Sequence, residues 1–258
     1  MATLLYHNGA LGDFLTTLPS ISLYRTIYKE SNIVLLGKKT FGELAVKYGY
    51  CDSFLDINNR KYSRLFIEDG SDCAYSFFKM FSSALFFTHS SNPILKHAHN
   101  QPHLKVLSHA PFPNSEIHVT DYHQSLINSN YKQYAYPSLV KQSTNNPNSR
   151  QAYCEPCIAL APGSGSSLKN WPFERYQAVY KKVKQYTHNI YWIVGDAEHQ
   201  MEFSPAEKVL RNSDLTELTV FFNKCSLYIG NDSGITHLAA ASHCPVLALF
   251  GPSNPKIW

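Results

Sequence analysis

With 258 residues, 44% of them hydrophobic and only 16% charged, the chain can bury one large or two modest cores and does not read as disordered or low-complexity. The formal charge of +4 suits an anionic ligand or a contact with acidic lipid, but without a basic run interleaved with aromatics it does not point to nucleic acid. Six scattered cysteines argue against a disulfide framework and for a reducing cytosol, Met1–His7 lacks the basic start of a signal peptide, and no apolar run reaches the length of a membrane span.

In chain order, Ala2–His7 reads as a buried strand followed by a glycine turn, His7–Asp13. Apolar residues near helical spacing (Phe14, Leu15, Leu18, Ile21, Tyr24, Ile27, Tyr28) then predict a helix from about Asp13 to Lys29, with Pro19 in an early turn or marking its true start. A strand at Asn32–Gly37, a helix at Thr40–Tyr48 and a strand at Ser53–Ile57 complete a β-α-β-α-β beginning, the mark of a parallel sheet with helices outside. The pattern then weakens. Tyr75–Phe87 reads as a helix, Ser90–Pro113 as loop, and Val119–Asn128 as a helix again. Lys141–Arg150 is polar, contains a proline and lacks periodicity, so it reads as a linker. The expected domains are therefore residues 1–145 and 146–258.

Beyond the linker, Cys154 and Cys157 form a single CxxC. No second pair completes a zinc site, and a position just before a strand argues against a thioredoxin-type motif. The α/β rhythm resumes with a strand at Ile158–Ala161, a polar loop at Pro162–Ser167, an amphipathic helix at Pro172–Tyr186 and a strand at Ile190–Gly195. Asp214–Glu217 has the spacing of a capping box and opens a helix to Lys224. Leu227–Ile229 is a strand, Gly230–Gly234 a tight polar turn, and the segment to Ala241 a small-residue helix capped by Asp232 or Ser233. Val246–Phe250 is the last strand.

Ligands of open parallel sheets bind beyond the carboxyl ends of the strands. Three turns fall there: Gly9–Asp13 in the first domain, Pro162–Ser167 and Gly230–Gly234 in the second. A strand, a glycine turn and a helix start together present free N–H groups to an anion. Ser164, Ser166, Ser167 and Lys169 add hydroxyls and a point charge suited to phosphate oxygens. Asp13 is either a general base at the cleft mouth or a helix cap. Asp196 either binds ribose hydroxyls or caps the next segment. No Walker A, no GxGxxG in context and no DxD pair at a strand end is found, so a metal-bridged diphosphate is not indicated.

These segments together resemble glycosyltransferase family 9, the ADP-heptose:lipopolysaccharide heptosyltransferases. The likeness rests on Gly12-Asp13 running to Pro19, on Ala161-Pro162-Gly163-Ser164 through Lys169-Asn170-Trp171-Pro172, on Gly230–Ala241, and on Phe250–Pro255, with a weaker match at His118–Leu126. The resemblance implies an α/β, GT-B type fold, two Rossmann-like domains facing each other across a cleft. It implies inverting, metal-independent transfer of heptose or a related sugar from a nucleotide-diphosphate donor, ADP-heptose in the first place, to a lipopolysaccharide core or other cell-envelope glycan. Asp13 would be the base and Lys169 would stabilise the leaving phosphate. Gly12, Ser164, Ser166, Ser167, Glu198, Asn231, Asp232, Ser233, Gly234 and His237 would bind the donor, with no metal and no cofactor. The expected partners are a nucleotide-sugar donor and a glycolipid or glycan acceptor, without nucleic acid. The expected location is the cytoplasm, with room for a peripheral contact at the inner membrane. The middle of the first domain is short for this family, and the chain stops at Trp258 where members continue, so a truncated second domain is expected. A non-catalytic nucleotide-sugar-binding protein of the same fold is the alternative, and an epimerase or hydrolase of GT-B type a third.

Overall fold

The computed structural model describes residues 2–29, 32–129, 135–140, 155–198 and 200–258. Contacts divide the chain into two compact units, Met1–Pro137 with Ile257 and Ser138–Lys256 with Trp258. The boundary expected at 145/146 and Cys154 of the CxxC lie outside the described residues.

In the first unit, β1 (Ala2–His7) occupies the centre of a five-stranded sheet, and Leu4, Leu5 and Tyr6 are at most 1% exposed. Burial on both faces is what a central parallel strand requires, and it explains a continuous apolar run in place of alternation. The unit continues through α1 (Leu11–Tyr28), β2 (Ile33–Gly37), α2 (Lys39–Lys47), β3 (Ser53–Asp56), α3 (Ser71–Phe78), β4 (Phe81–Phe87), α4 (Pro93–His99), β5 (Lys105–His109) and α5 (Val119–Ile127). All strands are parallel, in the order β3-β2-β1-β4-β5.

Helix α1 starts at Leu11, two residues earlier than the apolar spacing suggests, because Asp13 reaches back to accept the Ala10 N–H at 3.0 Å. Pro19 sits inside the helix and does not end it. Two segments of this unit correct the sequence reading. Tyr75–Phe87 is not one helix: α3 ends at Phe78 and Phe81–Phe87 is β4, paired with both β1 and β5. A short, almost wholly buried run such as this one carries no period that separates strand from helix. Ser90–Pro113 is not loop alone. Asn92 caps α4 through the Ile94 N–H, Pro93 occupies the first turn, and β5 pairs in register with β4.

The second unit runs β6 (Ile158–Ala161), α6 (Phe173–Val183), β7 (Ile190–Val194), β8 (Lys208–Arg211), α7 (Leu215–Lys224), β9 (Leu227–Asn231), α8 (Gly234–Ala241) and β10 (Val246–Leu249). Its sheet is also all parallel, in the order β10-β9-β6-β7-β8. β8, absent from the sequence reading, is a four-residue edge strand whose ends are exposed, too short and too polar to stand out. The core packs Leu160, Tyr176, Ile190, Trp192 and Ile229 together, with Trp192 fully buried and stacked on Tyr180 at 5.4 Å. Asp214 caps α7 as its spacing foretells, accepting from the Thr216 and Glu217 N–H groups.

Numbered from its own first strand, each sheet reads 3-2-1-4-5. The chain direction across the sheet reverses between the first and fourth strands, so each unit has a switch point there, between β1 and β4 and between β6 and β9. Crevices at such points are where ligands of this architecture bind. No described helix is long and apolar enough to cross a membrane.

Candidate functional site

In the second unit the loops after β6 and β9 flank the switch point, and Asn231 ties them together. Its Nδ2 donates to the Pro162 carbonyl at 2.7 Å, while its Oδ1 accepts from the Trp171 N–H at 3.0 Å and the Tyr176 hydroxyl at 3.1 Å. The side chain is fully buried, so Asn231 fixes both ends of the Pro162–Trp171 loop and turns no polar atom to solvent. Within that loop the Ser164 hydroxyl lies 2.7 Å from both the Ser166 carbonyl and Asn170 Oδ1, and its oxygen accepts the Ser166 N–H at 3.2 Å. Ser167 is exposed, and Ser166 and Lys169 are half-buried.

Lys169 Nζ donates to Asp232 Oδ2 at 2.7 Å, and the Ser253 hydroxyl donates to the same oxygen at 2.6 Å. His237 Nε2 lies 3.9 Å from Asp232 Oδ1. Asp232 is 4% exposed and the Lys169 side chain 33%, so the pair has a buried anion and a cation at the surface. Burial would lift the Asp232 carboxyl, but hydrogen bonds from Lys169 and Ser253 and the nearby positive charge outweigh it and hold the group below its ordinary value.

Ser233 is the N-cap of α8, accepting the Thr236 N–H, and the Thr236 hydroxyl donates to the Asn231 carbonyl. Of the two capping residues open in the sequence, Ser233 does the capping and Asp232 is left to the ion pair. By helix geometry the first N–H groups of α8, at Gly234 and Ile235, have no acceptor within the helix. They add the positive end of the helix dipole to the charge of Lys169.

Glu198 is 8% exposed, and its Oε2 accepts the Gly195 N–H at 2.8 Å at the end of β7. Its Oε1 lies against Gly163, where an added Cβ would meet it at 1.8 Å. Gly163 therefore lets Glu198 brace the loop after β6 from beneath, a role that spacing alone does not reveal. Asp196 is exposed and accepts from Asn212 Nδ2.

The first unit's turn after β1 is built differently. Gly9 is held at both ends: its N–H donates to His7 Nδ1 at 3.3 Å, and its carbonyl accepts from Lys38 Nζ at 2.9 Å. A Cβ at Gly9 would lie 2.9 Å from Asp13 Oδ2 and 3.0 Å from His7 Cε1, so the bare backbone is what lets the carboxylate and the imidazole close over it. Asp13 is half-buried, and Gly12 beside it is buried. Asp13 caps α1 from its third helical position, with Ala10 as the N-cap: Oδ2 takes the Ala10 N–H, and Oδ1 has no hydrogen-bond partner among the described residues. Burial, helped by the Lys38 charge, lowers the His7 pKa to about 3, so the ring is neutral and carries its proton on Nε2. His7 and Lys38 were not singled out in the sequence. Their signal is positional, since each stands at the carboxyl end of a neighbouring strand.

Twin parallel sheets of 3-2-1-4-5 order with polar turns at their switch points make this a Rossmann-like α/β protein of GT-B type. The chain belongs to glycosyltransferase family 9 (heptosyltransferase), whose model matches residues 72–258. Among curated proteins it is similar to the lipopolysaccharide core heptosyltransferase OpsX of Haemophilus influenzae, 26% identical over 108 residues, a stretch covering 38% of this chain and 31% of that protein. Its fold is that of the glycosyl transferase family 9 structure from Veillonella parvula, at a TM-score of 0.75 and 18% identity, covering 99% of this chain and 82% of that one. The ADP-heptose LPS heptosyltransferase II of E. coli superposes at a TM-score of 0.76 and 16% identity, covering 100% and 87%. The match to the curated relatives spans about a third of their length.

Proposed function

We propose that the protein is an inverting, metal-independent glycosyltransferase that moves heptose or a related sugar from a nucleotide-diphosphate donor, ADP-heptose in the first place, to a lipopolysaccharide core or another cell-envelope glycan. The observation that carries this reading is the Lys169–Asp232–Ser253 cluster beside the open N-terminus of α8, at the second unit's switch point. In this reading the diphosphate lies on the Gly234 and Ile235 amides and on the Ser164, Ser166 and Ser167 loop. Lys169 shares its charge between Asp232 and the phosphate. Asn231 and Glu198 serve the donor by fixing the loops around it; Asp232, Ser233 and His237 line it, and Gly12 is assigned to donor binding by the family resemblance.

Asp13 takes the proton of the acceptor hydroxyl, whose oxygen attacks the anomeric carbon as the bond to the diphosphate breaks. One displacement inverts the anomeric centre. Charge grows on the leaving phosphate, where Lys169 and the helix amides, already in place, stabilise it most. This reading goes with a cytoplasmic protein in peripheral contact with the inner membrane, a contact that its +4 charge favours.

A thermal-shift screen with ADP-, GDP-, UDP- and CDP-sugars tests the donor half of this proposal. A ligand that binds only the folded state raises the midpoint. ADP-heptose should give the largest rise, and transfer to a lipopolysaccharide core should follow. A rise without transfer to any envelope glycan would favour the non-catalytic binding protein, and no rise with any of them would remove the donor site.

A further inference from the structure

Away from the donor turns, three cysteines meet at the amino-terminal edge of the second sheet. Cys157 directly precedes β6, Cys225 lies two residues before β9, and Cys244 two residues before β10, and these strands are neighbours. The Ser226 N–H donates to the Cys157 carbonyl at 2.7 Å, which draws the two segments together. The Cys157 and Cys225 sulfurs stand 3.5 Å apart, and Cys244 Sγ lies 3.9 Å from the Cys225 carbonyl. Cys157 is half-buried, whereas Cys225 and Cys244 are each 6% exposed. No group of three His, Cys, Asp or Glu side chains among the described residues is placed to hold a metal ion.

We propose that Cys157 and Cys225 are a nucleophile and resolving pair, a thiol modification site that reacts with low-molecular-weight disulfides. The Cys157 thiolate attacks one sulfur of the small disulfide, forming a mixed disulfide and releasing one thiolate. The Cys225 sulfur, losing its proton, then attacks Cys157 Sγ and expels the second small thiol. The protein loses two hydrogens and two electrons, and the small disulfide is reduced to two thiols. Neighbouring strand ends suit the Cα separations of a disulfide, and the sulfurs need to close by only about 1.5 Å to reach bonding distance. The local chemistry agrees. The hydrogen bond from Cys225 and the Lys208 charge lower the Cys157 pKa against its burial, while the same bond, the Cys244 thiol and burial raise that of Cys225.

The test is peptide mapping by mass spectrometry of the full chain after exposure to oxidised glutathione, under native conditions and without reductant. A Cys157–Cys225 link that dithiothreitol reverses is the expected result, with Cys225→Ser accumulating a glutathionyl group on Cys157 and Cys157→Ser giving neither product. A Cys154–Cys157 link, or a chain left unmodified at Cys157, would overturn the pair. Should either serine variant fail to fold, alkylation rates on the unaltered protein decide: Cys157 should react at least several-fold faster than the half-buried Cys73, and equal rates would refute an activated Cys157.

Discussion

The two units repeat one strand order and put their polar turns at the same topological place, yet they equip it with opposite chemistry. At β1 the turn offers a half-buried carboxylate, Asp13, over a glycine clamped between neutral His7 and Lys38. At β6 and β9 the turns offer a lysine, a buried partner carboxylate and an open helix N-terminus. Topology thus fixes where a site can be, and in the proposed function a few side chains decide whether it removes a proton or holds an anion.

The sharpest way to break this comparison is Asp13→Ala. Losing a general base should cut turnover by roughly 10²–10⁴-fold with donor affinity kept. Unchanged turnover in a steady-state transfer assay would remove Asp13 from the chemistry. Lys169→Met should cut turnover by about 10²–10³-fold through lost leaving-group stabilisation. It should also lower the melting midpoint, because Asp232 is left buried without its cation. Adding Asp232→Asn should restore the midpoint but not transfer, and a midpoint that stays low would show that the ion pair is not what Lys169 gives to stability.

The Pro162–Trp171 loop can be tested through Asn231→Ala, which strands the Pro162 carbonyl, the Trp171 N–H and the Tyr176 hydroxyl. Chemical denaturation should show a loss of about 2–4 kcal/mol. A loss under about 0.5 kcal/mol, the range of surface substitutions, would mean the loop is held by other contacts.

The mildest difference is in pH. Burial lowers His7 and His123 to about 3 and His109 to about 4, against 6.5 in the unfolded chain. The unfolded state therefore takes up these protons first. The stability tied to neutral imidazoles is complete above pH 6.5 and drains away as pH falls towards 4 and 3. Asp232, held below its ordinary 3.8, keeps its contribution above that value and loses it only as pH falls through the lower folded value. Hydrogen exchange at pH 5 against pH 7.5 should show weaker protection in the first unit with little change around β6 and β9. Equal weakening of both units would contradict the assignment.

Much of this arrangement can be read in the sequence, and unequally. The β9 turn stands out because strand, glycine turn and alanine helix are contiguous, so Ser233 and Gly234 announce themselves within a few residues. Asp13 is visible for the same reason, and its early helix start is a local cap. β4 and α4 escape because a seven-residue, almost wholly buried run has no period and because His, Asn and Pro in Ser90–Pro113 mimic a loop. The ion pair between residues 169 and 232, the Glu198 brace under Gly163 and the clamp of Lys38 on Gly9 join segments that are distant in sequence or adopt no periodic pattern. Only the parallel order of the strands makes them neighbours.

The central claim is a division of labour, and calorimetric titration of Asp13→Ala and Lys169→Met with ADP-heptose measures it directly. Asp13→Ala should bind the donor as tightly as the unaltered protein, while Lys169→Met should bind it at least tenfold more weakly. Donor affinity lost with Asp13 and kept without Lys169 would contradict the account.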